Sequence, residues 1–169
     1  MEWLYERTDD NSARFILGTG GENPLICFGI NPSTAEPGNL DPTVNYVCRL
    51  AAANGFDGFV MFNVYAQRAT NPDALHKAYS PTLKSANEHC IAAYVGGAPL
   101  KLWAAWGGLI NKRPYLAPLA KSIASLPELA NCEWVSRGGL TKGGHPRHPL
   151  YVKKEAPFAP FDMARYFCL

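Results

Sequence analysis

The chain lacks the sequence features that mark secreted, zinc-stabilised and membrane-spanning proteins. Its five cysteines are scattered, at Cys27, Cys48, Cys90, Cys132 and Cys168. An odd count without close pairs matches neither a disulfide framework nor a zinc knuckle, so free thiols are expected. The apolar runs are far shorter than the roughly 20 residues of a transmembrane helix, and residues 1–10 are acidic and aromatic rather than signal-like. We therefore expect a cytoplasmic protein with no membrane partner.

Fingerprints of several cofactor-binding and hydrolytic folds are also missing. Glycines cluster at residues 18–21 and 138–144, but neither cluster matches a P-loop or a dinucleotide-binding motif. No Gly-x-Ser-x-Gly nucleophile elbow occurs. His145 and His148 have no cysteine or carboxylate beside them, which makes a weak zinc pattern. Accordingly, we expect neither a metal ion nor another cofactor.

The composition is that of an ordinary globular domain. The chain has 169 residues, of which 47% are hydrophobic and 18% charged, and this length is enough to bury a full core. No repeat, low-complexity segment or linker interrupts it. The sequence therefore predicts a single domain over residues 1–169.

The net charge of +2 hides a strong asymmetry along the chain. Residues 1–60 carry a charge of −5, which leaves +7 for the remainder. Residues 137–154 contain five basic residues, two histidines and no acid. Such a segment can meet phosphate groups, or it can be a solvated surface loop, and both interpretations stay open.

Short apolar runs alternate with helical patterns. The runs predict strands over residues 13–17, which would be an edge strand, and over 25–30, 58–64, 99–106 and 132–136. Helices are predicted from Pro42 to near Gly55, then over residues 73–79, 81–95 and 114–126, before a loop-like tail. This order predicts a three-layer α/β domain with helices on both faces of a central, mainly parallel sheet of four to five strands.

The predicted strands end in the most polar or glycine-rich parts of the chain. These ends are residues 31–34, Asn63, residues 106–108 and the loop after Ser136. Ligands of open α/β sheets bind outside the carboxyl ends of the strands. One face of the sheet is therefore expected to carry the functional site.

Two of these strand ends contain asparagines with two possible roles. Gly29 allows close approach of a ligand to the backbone, and the Asn31 amide can hold a water or a base edge. The alternative is a strand-ending Asn-Pro turn capped by Ser33 or Thr34. Asn63 follows four apolar residues, and a buried amide left unpaired costs about 1–3 kcal/mol. It is expected either to satisfy a loop backbone or to read a ligand.

The most unusual segment is residues 143–151, where two His-Pro pairs follow a double glycine. The prolines stiffen the loop and the glycines let it approach a ligand. The two histidines and Arg147 supply hydrogen-bond donors. The pattern favours a rigid loop that donates hydrogen bonds to an anion or a base.

With these elements the chain resembles the bacterial and phage family called domain of unknown function 1643. The matching elements are residues 31–35, 41–43, 63–70, 106–107 and 144–151, which occur in that family's order between about residues 14 and 152. The family name by itself implies no activity.

More distantly, the order of elements resembles the uracil-DNA glycosylase superfamily. Residues 29–32 read Gly-Ile-Asn-Pro, as in the first motif of its mismatch-specific branch, and residues 60–63 resemble its second element. Either His-Pro pair could match the late element. The resemblance implies that Asn31 positions the attacking water, that Asn63 reads the base, and that a late-loop histidine stabilises the departing base.

The resemblance implies hydrolysis of the N-glycosidic bond of a nucleobase, with DNA or a nucleotide as partner. The expected catalytic residues are Asn31, His145 and His148. The expected substrate-binding residues are Gly29, Pro32, Ser33, Thr34, Asn63, Arg68, Arg147 and Tyr151. The first motif contains no aspartate, and an amide is not a strong general base. The alternatives are a catalytically silent nucleic-acid- or nucleotide-binding module of the same fold, and an unrelated small-molecule hydrolase.

Overall fold

The computed structural model describes residues 2–168, which form one seven-stranded sheet and four α-helices. The strands are β1 (Leu4–Arg7), β2 (Arg14–Gly18), β3 (Pro24–Gly29), β4 (Gly58–Asn63), β5 (Lys101–Ala104), β6 (Glu133–Arg137) and β7 (Phe158–Pro160). The helices are α1 (Pro42–Ala53), α2 (Pro81–Val95), α3 (Leu116–Ala124) and the short α4 (Met163–Tyr166). The alternation of strands and helices confirms the predicted α/β class.

The sheet has the order β1-β2-β4-β3-β5-β6-β7, with a parallel centre and antiparallel flanks. Strands β4, β3, β5 and β6 run parallel, whereas β1, β2 and β7 run antiparallel to their neighbours. The register places Gly29 beside Asn63 at the ends of β3 and β4. Because the central strands are parallel, their carboxyl ends meet at one edge of the sheet.

Helices cover both faces of the sheet, and the alternation of side chains in β3 shows why. Leu25 and Cys27 pack in one core with α1, while Ile26 and Phe28 pack in a second core with α2 and α3. A strand buried on both faces must be apolar throughout rather than alternating. Residues 25–28 have this pattern, which is why the strand could be predicted.

The starts of α1 and α2 follow from local capping. The Asp41 carboxylate accepts a hydrogen bond from the Val44 backbone N–H at 2.9 Å, and Pro42 occupies the first turn of α1. Ser80 caps α2 in the same way, ahead of Pro81. These cap signals lie within a few residues of each helix, so the predicted starts at Pro42 and Pro81 are confirmed.

The predicted count of four to five strands is wrong, because β1 and β7 extend the sheet at its two edges. Strand β2 is consequently an inner strand rather than the predicted edge. β1 exposes Glu6 and Arg7, and β7 contains Pro160, so neither carries an apolar pattern. Charges and proline are typical of edge strands, and in β1 and β7 they replace the apolar pattern from which a strand is predicted.

The predicted helix over residues 73–79 is a single 3-10 turn at Pro72–Ala74. Side chains from the segment before α3 occupy the carbonyl groups that a longer helix would need. Arg113 donates to the Leu75 and His76 carbonyl oxygens, and the Tyr115 hydroxyl donates to His76 O at 2.7 Å. Tertiary hydrogen bonds therefore override the local helical pattern.

Within residues 2–168, no helix combines the length and the apolar character needed to cross a membrane.

Candidate functional site

A cavity of about 160 Å³ opens at the carboxyl ends of β3, β4 and β5. Its walls come from residues 29–33, Asn63, Ala105 and Trp106, the start of α1, and the pair His148 and Pro149. The cavity thus collects three of the four strand ends that the sequence singled out, together with half of the late His-Pro loop.

Asn63 is 4% exposed and lines the cavity at the end of β4. Its backbone carbonyl accepts a hydrogen bond from Asn87 Nδ2 at 2.9 Å, and its side-chain Oδ1 accepts from Arg14 Nη2 at 3.4 Å. Its Nδ2 has no hydrogen-bond partner among residues 2–168. The amide therefore keeps a free donor beside the cavity.

Arg14 was not expected in the site, yet it lines the same cavity while only 2% exposed. Nη1 donates to the Ala35 carbonyl oxygen at 3.1 Å, and Nε has no partner in the described chain. No carboxylate of residues 2–168 forms an ion pair with it. Burial, with a smaller effect of the Arg68 charge, lowers the pKa of Arg14 to about 10, so the group is still a cation at neutral pH.

Asn31 lines the cavity, but its amide nitrogen is already engaged. Nδ2 donates to the Ala69 carbonyl oxygen at 2.8 Å and to Pro32 O at 3.0 Å. Among residues 2–168 its Oδ1 has no donor. One end of the Asn31 amide therefore holds the loop that contains Ala69, and the other end can still accept a hydrogen bond.

His148 lines the cavity next to Pro149, and its Nδ1 accepts a hydrogen bond from the Leu150 backbone N–H at 3.2 Å. Burial lowers the pKa of His148 below its usual 6.5, while Asp41 partly opposes this effect. The imidazole is therefore neutral at pH 7 and carries its proton on Nε2. It can donate a hydrogen bond without bringing a charge into the cavity.

The first turn of α1 closes another side of the cavity through Asp41, Thr43 and Val44. Asp41 uses Oδ1 to cap the helix, and Oδ2 has no partner among residues 2–168. This carboxylate lies close enough to raise the pKa values of both Arg14 and His148 against the opposing effect of burial. The fold therefore brings an aspartate to the cavity although residues 29–34 contain none.

Arg68 holds the loop after β3 against the loop after β4. Its Nη1 donates to the carbonyl oxygens of Ser33 and Ala35, at 2.6 and 3.2 Å, and its Nη2 donates to the Tyr5 hydroxyl at 2.8 Å. Arg68 and Thr34 line an open depression outside the cavity. We therefore assign Arg68 a structural role in ordering the loop that carries the other site residues.

The two late histidines lie in different places. His145 Nδ1 lies 2.7 Å from the Tyr166 hydroxyl oxygen, and Nε2 lies 3.1 Å from Asn111 Nδ2. Its ring lines a separate groove of about 760 Å³ between the late loop and α4. Only His148 reaches the 160 Å³ cavity, and this resolves which His-Pro pair faces the strand ends.

Arg147 and Tyr151 lie together on the surface, around a depression that also includes Lys153. Tyr151 is 77% exposed, and its ring centroid lies 5.5 Å from that of His148. Neither Arg147 nor Tyr151 lines the cavity, although Tyr151 packs beside His148, which does. Within residues 2–168, no group of three His, Cys, Asp or Glu side chains is arranged to hold a metal ion.

Gly107 anchors the late loop against the sheet. Its backbone N–H donates to the Pro146 carbonyl oxygen at 2.8 Å, and a Cβ at this position would lie 3.5 Å from His148. Its φ of +63° belongs to the left-handed region that favours glycine. Gly107 therefore holds the backbone of the late loop next to His148.

Sequence reasoning missed Arg14 and the carboxylate of Asp41 as cavity residues. One signal was available for Arg14, because a charged residue inside the otherwise apolar run of residues 13–17 is costly to bury without a purpose. For Asp41 the capping role was visible, but nothing local places the start of α1 against the ends of β3 and β4.

No curated protein and no solved structure matches the chain significantly. Residues 14–150 match the model of the family described as a protein of unknown function, DUF1643. The matched region runs from the buried Arg14 to the end of the loop that carries His148, so it contains every residue that lines the cavity. The chain belongs to the DUF1643 family.

Proposed function

We propose that the protein hydrolyses the N-glycosidic bond of a nucleobase in DNA or in a nucleotide. The observation that carries this proposal is the cavity of about 160 Å³, because it combines a buried amide, a neutral imidazole and a carboxylate. A cavity of about 150 Å³ can hold a benzene molecule. A cavity of this size is therefore of the order that a single aromatic ring turned out of its stack would need.

The resemblance to the uracil-DNA glycosylase superfamily supports the same proposal. Its Gly-Ile-Asn-Pro element, its strand ending in asparagine and its late His-Pro element correspond here to residues 29–32, Asn63 and His148. All three lie at one cavity. In this proposal the three-layer fold is glycosylase-like, with β1 and β7 as added edge strands.

The proposed reaction breaks the bond between the sugar and the base. A water attacks the anomeric carbon, the carbon–nitrogen bond breaks, and its electron pair leaves with the base. Asn31 Oδ1 accepts a hydrogen bond from the water, and Asp41 takes the water's proton, which an amide cannot do effectively. His148 Nε2–H and Asn63 Nδ2–H donate to the departing base and stabilise its developing charge.

The test is incubation of the pure protein with duplex and single-stranded oligonucleotides that carry uracil, mismatched thymine or damaged bases, followed by alkali cleavage. Free nucleotides are tested in parallel for release of the base. Strand breaks at one modified base would support the proposal and identify the substrate. Salt-sensitive binding without release would favour the silent binding module, and absence of both would contradict any role in nucleic-acid chemistry.

Asp41→Asn is the matched variant for this test. Asparagine caps helices as well as aspartate does, so α1 should keep its start. The general base is lost, and base release is expected to fall by about 10²- to 10⁴-fold with binding retained. Full activity of this variant, measured under single-turnover conditions, would remove Asp41 from the mechanism.

A further inference from the structure

The orientation of the Asn63 amide is fixed by a cation behind it. Arg14 Nη2 lies 3.4 Å from Asn63 Oδ1, and a guanidinium group can only donate hydrogen bonds. The amide oxygen must therefore face Arg14, and the Nδ2 group must face away from it. A Cβ built on Gly29, another residue of the cavity wall, would lie 3.0 Å from this nitrogen.

Arg14 is itself held firmly in place. It is 2% exposed, its backbone N–H donates to the Ala66 carbonyl oxygen at 3.0 Å, and its Nη1 donates to Ala35 O. No acidic side chain of residues 2–168 pairs with it. A buried cation without a paired anion is costly. In this protein the buried cation, Arg14, contacts the Asn63 amide that lines the cavity.

We propose that Arg14 is a positioning residue that makes Asn63 a hydrogen-bond donor to the ligand, so that the cavity selects a ring bearing an oxo group over one bearing an amino group. This inference rests on the proposed function for the identity of the ligand as a nucleobase. A carbonyl oxygen accepts from Nδ2–H, whereas an amino group would place two donors against each other. The cation behind the amide also favours negative charge on that oxygen as the base departs.

The test measures binding of free bases to the whole protein by isothermal titration calorimetry, and it does not depend on catalysis. The matched pairs are uracil with cytosine and hypoxanthine with adenine. We expect the oxo member of the pair that binds to have an affinity on the order of 10- to 100-fold higher, because the amino member leaves buried donors unpaired. Equal affinities, a preference for the amino member, or no binding of any base would overturn the inference.

Two variants separate the positioning role from a structural one. Asn63→Asp places a carboxylate beside Arg14 and turns an acceptor toward the cavity, so the preference should shift to the amino-bearing base. Arg14→Met removes the group that fixes the amide, so both bases should bind with the discrimination lost. Unchanged discrimination in folded Arg14→Met protein would contradict the role assigned to Arg14.

The results for this inference and for the proposed function can be distinguished. Oxo-selective binding without release from any oligonucleotide or nucleotide would retain Arg14 as a positioning residue and reject the glycosylase reaction. Release without discrimination between oxo and amino bases would retain the reaction and reject the role of Arg14.

Discussion

Gly29 and Asn63 are neighbours in the register of β3 and β4, and this pairing makes the site sensitive to a single methyl group. In Gly29→Ala the new Cβ would lie 3.0 Å from Asn63 Nδ2, so the amide must move by a few tenths of an ångström. We expect affinity for the base to fall about tenfold, with less than about 1 kcal/mol lost in the free energy of unfolding. Calorimetry and urea unfolding would measure the two effects.

Gly108→Ala is the control for this substitution, because a Cβ at Gly108 meets open space. It should leave affinity for the base unchanged. An equal loss of affinity in both variants would show that the effect of Gly29→Ala does not come from contact with Asn63.

Protonation of His148 should make the free energy of unfolding depend on pH. Burial lowers its pKa in the folded protein, with Asp41 partly opposing, so the unfolded chain binds the proton more tightly. The free energy of unfolding is then highest above about pH 6.5 and falls as the pH drops through the lowered pKa. Urea unfolding between about pH 8 and pH 5 would show this loss.

His148→Asn should reduce that slope, because asparagine can keep the hydrogen bond to Leu150 N–H but does not titrate. His89→Gln, on the exposed side of α2, is the control and should keep the wild-type slope. An identical pH dependence in all three proteins would assign the effect to another group.

The loops that follow β3 and β4 are linked to each other by hydrogen bonds. Asn31 Nδ2 donates to the Ala69 carbonyl oxygen, and the Ala69 backbone N–H donates to the Pro32 carbonyl oxygen. Arg68 also donates to the carbonyl oxygens of Ser33 and Ala35. Arg68, which does not line the cavity, therefore holds the backbone of Ser33, which does.

Arg68→Met should loosen the link between these loops. Hydrogen bonds from a charged group contribute about 1.5–3 kcal/mol each. The part-buried Ser33 carbonyl would lose its donor, while Ala35 O would keep only the hydrogen bond from Arg14. We expect a loss of about 2–3 kcal/mol in the free energy of unfolding, together with weaker base binding. Arg49→Met, at an exposed position of α1, should change stability by less than about 0.5 kcal/mol.

In the folded molecule, part of the basic segment at residues 137–154 lies on the surface. Arg147 and Lys153 flank one depression with the exposed ring of Tyr151, which contacts His148 at the cavity mouth. Arg137, by contrast, is buried and donates to the Tyr46 hydroxyl at 2.9 Å. Part of the basic segment is thus structural, and Arg147 and Lys153 are the basic residues that we propose to contact phosphates.

This placement predicts the salt dependence of nucleic-acid binding. Arg147→Ala and Lys153→Ala should each weaken binding and reduce the slope of log affinity against log salt by about one. Lys121→Ala, exposed on α3, should leave the slope unchanged. Fluorescence anisotropy over a series of salt concentrations gives these slopes, and an unaltered slope for Arg147→Ala would show that it contacts no phosphate.

Features that depend on neighbours along the chain could be predicted before the structure was known. The apolar runs of β3 and β4 and the caps at Asp41 and Ser80 are local, so strands, helix starts and the α/β class could be predicted. The rule that ligands bind at strand ends then indicated residues 29–34 and Asn63. Edge strands β1 and β7 were missed because their charges and proline conceal the strand pattern.

Which side chains share the cavity depends on long-range packing and could not be predicted from local sequence. Arg14 reaches Asn63 because β2 pairs antiparallel with β4. Asp41 reaches the cavity because the first turn of α1 packs beside the strand ends. His148 faces the cavity while His145, three residues earlier, is bound by Tyr166 in another groove. These contacts join residues far apart in the chain, and their geometry is set by the packing of whole elements rather than by local conformational preference.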